Sequence, residues 1–330
     1  MAVLLEVRGL TVELPTPAGW VRPVNEVSLE LGEGEALGIV GESGSGKTML
    51  ALALMGLTPP EARRSGEAWL RMRDSARDAA NDGHRIDLVA AAPGGLRALR
   101  GREIAIVFQE PMTALNPVMR VGAQIEEAIR VHEPGLAKPD LRRRALEALE
   151  RAAIPEPARV TRQYPHQLSG GQRQRALIAM SLAAGPRLLI ADEPTTALDV
   201  TVQKQILELL ARLRGALGLA LLFITHDLGV VAQVADRVAV MYAGRIVEEG
   251  PVAEVLGQPR HPYTEGLLRA APRLEPGKLM PIPGAVPRLD ALPPGCAFAP
   301  RCPYWRDACD AGVPDLRAAS PVHHARCILV

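Results

Sequence analysis

The chain has 330 residues, 48% of them apolar, and a formal net charge of +1. That length suits one large domain with a smaller appendage, and the balanced charge removes the electrostatic case for a general nucleic-acid binder. Its longest apolar runs, at 217–225 and 238–243, fall far short of the ~20 residues a membrane-spanning helix needs, so the chain cannot itself form a channel.

The opening segment, MAVLLEVRGLTVEL, carries charge inside its apolar run and lacks a small-residue cleavage site. It is expected to be a mature strand and not a signal peptide, which places the protein in the cytoplasm. Alternation through Leu5, Val7, Val24, Val27 and Leu29 predicts an antiparallel β-subdomain. ALGIV at 36–40 has the continuous apolar character of a strand covered on both faces. After Thr48, MLALALMGL predicts a helix ended by Pro59 and Pro60.

Between that strand and that helix lies GESGSGKT, Gly41 to Thr48, the full phosphate-loop pattern in its required context. Gly41, Gly44 and Gly46 let the backbone curl, so that N–H groups through Ser43 and Ser45, with the positive end of the helix, surround phosphates. Lys47 is expected on the β- and γ-phosphates and the Thr48 hydroxyl on Mg²⁺. An ordinary glycine-rich turn is the competing reading, and the matched flanks disfavour it.

Residues 71–95 are polar with little periodicity and read as an inserted surface loop. From 121 to 153 apolar residues recur at three- and four-residue spacing, which predicts a helical subdomain, about 116–184, inserted between two core strands. Ser169 in LSGGQ (168–172) has the character of a helix N-cap, and Gly170 and Gly171 admit an anion to the first turn; alone, the stretch would be an ordinary capped helix. RLLIADEP and LALLFITHD supply two more buried strands ending in polar residues, where ligands of open α/β sheets sit. Asp192 is placed to hold the magnesium shell, and Glu193 to orient and deprotonate the attacking water. Beyond Gly250 prolines multiply, and a domain boundary is expected near residue 251. All four cysteines lie in the last 35 residues, which suggests one local site and not a disulfide scaffold.

The phosphate loop, LSGGQ and DEP together resemble the ATP-binding cassettes of ABC transporters, and further motifs follow in that family's order. Gln109 matches the Q-loop glutamine, Ala197-Leu198-Asp199 the D-loop and His226 the switch histidine. FQEPMTALNP, QYPHQLSGGQRQRALIAMSLA, TTALDVTVQKQIL and RHPYTEGLL make nearly the whole chain similar to the ATPases of oligopeptide, dipeptide and nickel importers. The resemblance implies an α/β P-loop (RecA-like) ABC nucleotide-binding domain at 1–250, with an antiparallel β-subdomain and the inserted helical subdomain, and a small Cys-containing extension at 251–330. It implies two ATPase subunits, identical or related, meeting head to tail so that Ser169, Gly170, Gly171, Gln172 and Asp199 serve the partner's ATP. Catalysis would fall to Glu193, His226 and Gln109, with Thr48, Gln109 and Asp192 around Mg²⁺. Two membrane permease subunits and an extracytoplasmic solute-binding protein complete the implied assembly, with this chain on the cytoplasmic face of the membrane.

The chain departs from the family pattern where an aromatic residue stacks on adenine: Leu14 stands there, and Trp20 is the substitute considered, alongside a plain core or surface role. The cysteine segment resembles the importers' C-terminal extension, which in some members carries a four-iron, four-sulfur cluster. Cys296, Cys302, Cys309 and Cys327 are the implied ligands, although their spacing is neither that of ferredoxins nor that of zinc ribbons. Zinc remains the alternative, with His323 and His324 as further ligands or simply exposed residues. Two other functions stay open at this point: a soluble ABC ATPase acting on ribosomes or DNA, disfavoured by the single cassette, and a regulatory ATP binder that hardly hydrolyses, disfavoured by Glu193 and His226.

Overall fold

A computed structural model describes residues 2–73, 85–109, 114–196, 198–270 and 280–330. β1 (Val3–Thr16) and β2 (Gly19–Gly32) form the expected antiparallel hairpin. It forms because Leu5, Val7, Leu10, Val24, Val27 and Leu29 are buried on one face while Arg8, Glu26, Ser28 and Glu30 face water, the period of a half-covered sheet. β3 (Ala36–Val40) is buried at every residue and leads through the glycine loop into α1 (Lys47–Met55). That helix stops before the prolines, at Gly56, whose left-handed φ of 62° lets its N–H turn back to the last carbonyls.

β4 (Arg63–Arg71) and β5 (Arg85–Asp87) extend the hairpin to a four-stranded sheet of order β2-β1-β4-β5. Part of the stretch expected to be a surface loop is therefore strand, and α2 (Pro93–Leu99) begins before it ends. A three-residue strand carries no periodicity to find. It is pinned instead by Asp87, whose Oδ1 accepts from the N–H groups of Ala68 and Val89 at 3.0 and 2.9 Å. Residues 74–84 lie outside the described residues.

The second sheet is built on β3 and takes in β6 (Ile104–Val107), β7 (Leu188–Asp192), β8 (Ala220–Thr225), β9 (Arg237–Tyr242) and β10 (Arg245–Pro251). β9-β3-β8-β7-β6 are parallel neighbours, so their carboxyl ends open on one edge, where the phosphate loop leaves β3. Between β6 and β7 the expected helices appear: α3 (Val121–His132), α4 (Lys138–Arg151), α5 (Pro157–Val160) and α6 (Gly170–Leu182). α7 (Val200–Leu217) and α8 (Leu228–Val234) follow β7 and β8. Among the described residues no helix is long and apolar enough to cross a membrane.

After residue 251 come α9 (Val252–Gly257), α10 (Pro262–Ala270), β11 (Arg317–Ser320) and β12 (His323–Ala325). The break in composition there is not a break in space. β12 pairs with β10, Glu248 opposite Ala325 and Glu249 opposite His324, and so adds the tail to the main sheet. Tyr263 and Phe298 enter the main core beside Tyr242, with ring centroids 4.5 and 5.4 Å from it; burying one such phenylalanine is worth about 1.5–3 kcal/mol. His261, buried among them, has its pKa pushed down to about 3 by burial and accepts the Tyr263 N–H at Nδ1, 3.1 Å away.

Candidate active site

Position 46 of the phosphate loop has a φ of 104°, and a Cβ there would fall 1.9 Å from the Pro23 carbonyl oxygen, so only glycine lets the loop lie on β2. The Lys47 ammonium turns back under the loop. Its Nζ donates to the carbonyls of Gly41 and Glu42 at 2.8 and 3.0 Å and lies 3.3 Å from Ser45 Oγ. Burial lowers the Lys47 pKa, against the opposing pull of Glu193, Asp192 and Glu42. Thr48, in the first turn of α1, meets Asp192 at the end of β7, Oγ1 to Oδ1 at 3.3 Å. Burial, the larger cause, raises the Asp192 pKa, and the neighbouring Glu193 adds to it. Two hard oxygen donors side by side, one of them a carboxylate that a cation would stabilise, suit Mg²⁺.

Glu193 sits just past β7 with φ at +47°, a left-handed conformation costing a non-glycine residue about 1–3 kcal/mol. Its N–H donates to the Ile224 carbonyl at 2.9 Å, which ties the turn to β8. Its Oε2 is the meeting point of the site: Thr196 Oγ1 donates to it at 2.8 Å, Gln109 Nε2 at 3.3 Å, and His226 Nδ1 stands 3.3 Å away. Because a carboxylate only accepts, His226 Nδ1 must carry the proton in that contact. The four side chains come from the ends of three parallel strands, and sequence reasoning missed Thr196. The available signal was a hydroxyl three residues after the acid.

Gln109, Glu193 and His226 line one open cleft of about 910 Å³ with Glu42 to Gly44, Gly46 to Met49 and Pro23; Thr196 and Asp192 stand behind its lining. Val286 and Leu289, from the Pro-rich tail, also line it; nothing periodic marked them in the sequence. Trp20 does not. It lies on the β1–β2 hairpin tip, 44% exposed, with the Arg63 guanidinium 3.9 Å over one face of its ring, a cation–π contact. Leu14 is also absent from the cleft.

The signature residues Ser169, Gly170, Gly171 and Gln172 do not line it either. Ser169 caps α6 as expected: its Oγ accepts the Gln172 N–H at 3.3 Å while Gln172 Oε1 accepts the Ser169 N–H at 3.0 Å. Asp199 caps α7, accepting from Val202 N–H at 2.9 Å. Val202 comes so near Gly171 that a Cβ there would fall 2.8 Å from its Cγ1, and Leu198 lies over Gly170. Signature and D-loop thus share one face of the chain, apart from its own phosphate loop. Ala197 lies outside the described residues, as does much of FQEPMTALNP, residues 110–113.

The four cysteines are free thiols that line a single small cavity with Phe298 and His261. Gly295 brings two of their loops together: a Cβ there would fall 2.0 Å from the Cys309 carbonyl oxygen, and the next N–H, of Cys296, donates to that oxygen at 2.8 Å. Burial raises the Cys296, Cys302 and Cys327 pKa values, and neighbouring thiols add to the shift. Among the described residues no group of three or more His, Cys, Asp or Glu side chains is arranged to hold a metal ion. That finding supports neither zinc nor an iron–sulfur cluster at these thiols. His323 is no zinc ligand in this structure: it is buried with Nε2 2.7 Å from Glu248 Oε1. His324 stands in β12, paired with Glu249.

Residues 24–196 match the family model of the ABC transporter cassette, and residues 247–309 match that of the oligopeptide/dipeptide transporter C-terminal region. A peptide import ATP-binding protein of Brucella melitensis is 48% identical over 333 residues, 98% of this chain and 96% of that one. One of Brucella abortus is 48% identical over 310 residues, 93% and 90% of the two chains. Among solved structures, the ATP-binding cassette MJ0796, a dimer in a post-hydrolysis state with ADP and Pi, superposes with a TM-score of 0.63 at 29% identity. It covers 76% of this chain and 99% of that one. cbiO1 of Clostridium perfringens, part of an ABC transporter complex, gives 0.62 at 28% identity, covering 78% and 92%.

Proposed function

The chain belongs to the ABC transporter ATP-binding family, and from that premise we propose that it hydrolyses ATP to energise import of peptides, or of a related small solute, across the cell membrane. The observation that carries the chemistry is Glu193 Oε2, which Gln109, Thr196 and His226 meet at the mouth of the phosphate-loop cleft. Held this way, the carboxylate orients a water against the terminal phosphate and takes its proton, while His226 and Gln109 fix the carboxylate. Lys47 exchanges loop carbonyls for phosphate oxygens. Thr48, Asp192 and Gln109 would hold Mg²⁺, which when bound would supply positive charge to offset that of the phosphates.

The cargo is read from the relatives, which are named for peptide import, and from the match at 247–309. That match counts against an ATPase working on ribosomes or DNA. The working unit is a dimer of ATPase subunits bound to two permease subunits, which take solute from an external binding protein. The chain is thereby held at the cytoplasmic face without spanning the membrane. Residues 1–250 form the cassette and 251–330 the extension. Ser169, Gly170, Gly171, Gln172 and Asp199 serve the partner's ATP, as the family resemblance implies, and their place outside the chain's own cleft supports this. In a Glu193→Gln background, ATP and magnesium should therefore drive two ATPase subunits together, and Ser169→Arg should abolish this by placing bulk and charge where a phosphate docks. Light scattering checks it, and a chain that stays monomeric with ATP, alone and with each candidate partner chain, would count against the dimer.

Cys296, Cys302, Cys309 and Cys327 are proposed to hold one four-iron, four-sulfur cluster. Supporting this are four thiols around one cavity and a Pro-rich segment that a cross-link would define; a cluster binds each thiolate through a different iron and does not need them on one ion. Protein purified without oxygen should be brown, with about four irons per chain, and any single Cys→Ser change should bleach it. A colourless anaerobic preparation would exclude the cluster and leave the ATPase intact.

A further inference from the structure

We propose that Arg301, in the C-terminal extension, is a positioning residue for ATP turnover, acting through Glu42, the second residue of the phosphate loop. The inference rests on the reading of the cleft as an ATPase site. The Arg301 side chain is only 3% exposed, yet all five of its N–H donors have partners. Nη1 and Nη2 grip the Glu42 carboxylate in parallel at 2.6 and 3.0 Å. Nη1 also reaches Tyr242 Oη at 3.4 Å, while Nε and Nη2 hold the Pro283 and Ile282 carbonyls at 2.9 and 3.3 Å. A guanidinium keeps its proton in proteins, so the cation is permanent.

Glu42 has no polar group left over. Its N–H donates to Tyr263 Oη, from α10, at 2.7 Å, and its carbonyl accepts from Lys47 Nζ at 3.0 Å and from the Ser45 N–H at 3.2 Å. Tyr263, more than 200 residues away, fixes the peptide plane before Glu42, and Arg301 fixes the Glu42 carboxylate, while the plane after it is held within the loop by Lys47 Nζ and the Ser45 N–H. Arg301 and Tyr263 thus shape the cradle before a phosphate enters. This is the kind of preorganisation whose loss costs rate without removing any catalytic group. Because the fork is bidentate, lysine can replace it only in part.

A bland alternative is that the pair merely fastens the tail to the cassette. The full chain with its co-purifying partners separates the two by kinetics, and the isolated chain by ATP affinity. Arg301→Met is expected to lower kcat/KM for ATP about 10- to 100-fold, with a raised KM and a weaker Kd for ATP. Arg301→Lys should restore only part of this. Glu42→Gln keeps size and one acceptor and should act in the same direction; it carries the test if Arg301→Met does not fold. The double variant Glu42→Gln/Arg301→Met should be no worse than the more impaired single variant, since both remove one contact. Multiplying effects, or an Arg301→Met or Glu42→Gln enzyme within twofold of wild type in kcat/KM, would overturn the inference and leave the ATPase reading standing. A wild-type assembly without turnover would overturn both.

Discussion

Replacing Glu193 by glutamine is expected to lower ATP turnover by about 10²- to 10⁴-fold while ATP still binds. The amide preserves the shape that Thr196, Gln109 and His226 close around, but it takes no proton from water. It also turns an acceptor-only group into one that has to present its oxygen to three donors. The fold should tolerate this, because Glu193 is at the cleft mouth, 14% exposed, and its backbone tie to Ile224 does not involve the side chain. Phosphate release under saturating ATP measures the loss, with a fluorescent nucleotide reporting retained affinity. A variant within threefold of wild type would remove Glu193 from the role of general base.

Lys47→Ala should strike an earlier step, nucleotide binding itself. A charge-assisted contact to phosphate is worth about 1.5–3 kcal/mol, which corresponds to roughly a 10- to 150-fold rise in Kd. The lysine is 5% exposed, and its removal also leaves the Gly41 and Glu42 carbonyls without the ammonium they now accept from. Thermal unfolding of the nucleotide-free variant therefore belongs beside the titration: a loss of affinity with an unchanged melting temperature isolates the phosphate contact. Unchanged ATP affinity would show that the loop binds something other than a nucleoside triphosphate.

The contrast between these two residues and Arg301 shows where sequence stops being sufficient. GESGSGKT could be read from the chain because its chemistry is local. A buried strand, three glycines and a helix start lie within 13 residues, and each sets the conformation of the next through contacts a few residues long. Ser169 was legible for the same reason, as an N-cap that satisfies an N–H group three residues ahead; the capping role of Asp199 was not read from the sequence, where it stood only as a match to the D-loop. The strand-end acids and His226 were marked by apolar runs, and the helices at 121–182 by their period.

Only the tertiary structure decided the rest. Thr196 and Gln109 converge on one oxygen because β6 and β7 are neighbours. Trp20, weighed as a substitute for the adenine-stacking aromatic or as a plain core or surface residue, lies outside the cleft lining with Arg63 of β4 against its ring. The tail carries no alternation or helical stripe between 280 and 300, so nothing in it announced that Val286 and Leu289 would line the cleft or that Arg301 would clamp a loop 259 residues earlier. Such contacts depend on β12 adding to β10 and on Tyr263 and Phe298 filling the core beside Tyr242. Those pairings lower the free energy only once the whole sheet exists, and a run of a few residues cannot encode them.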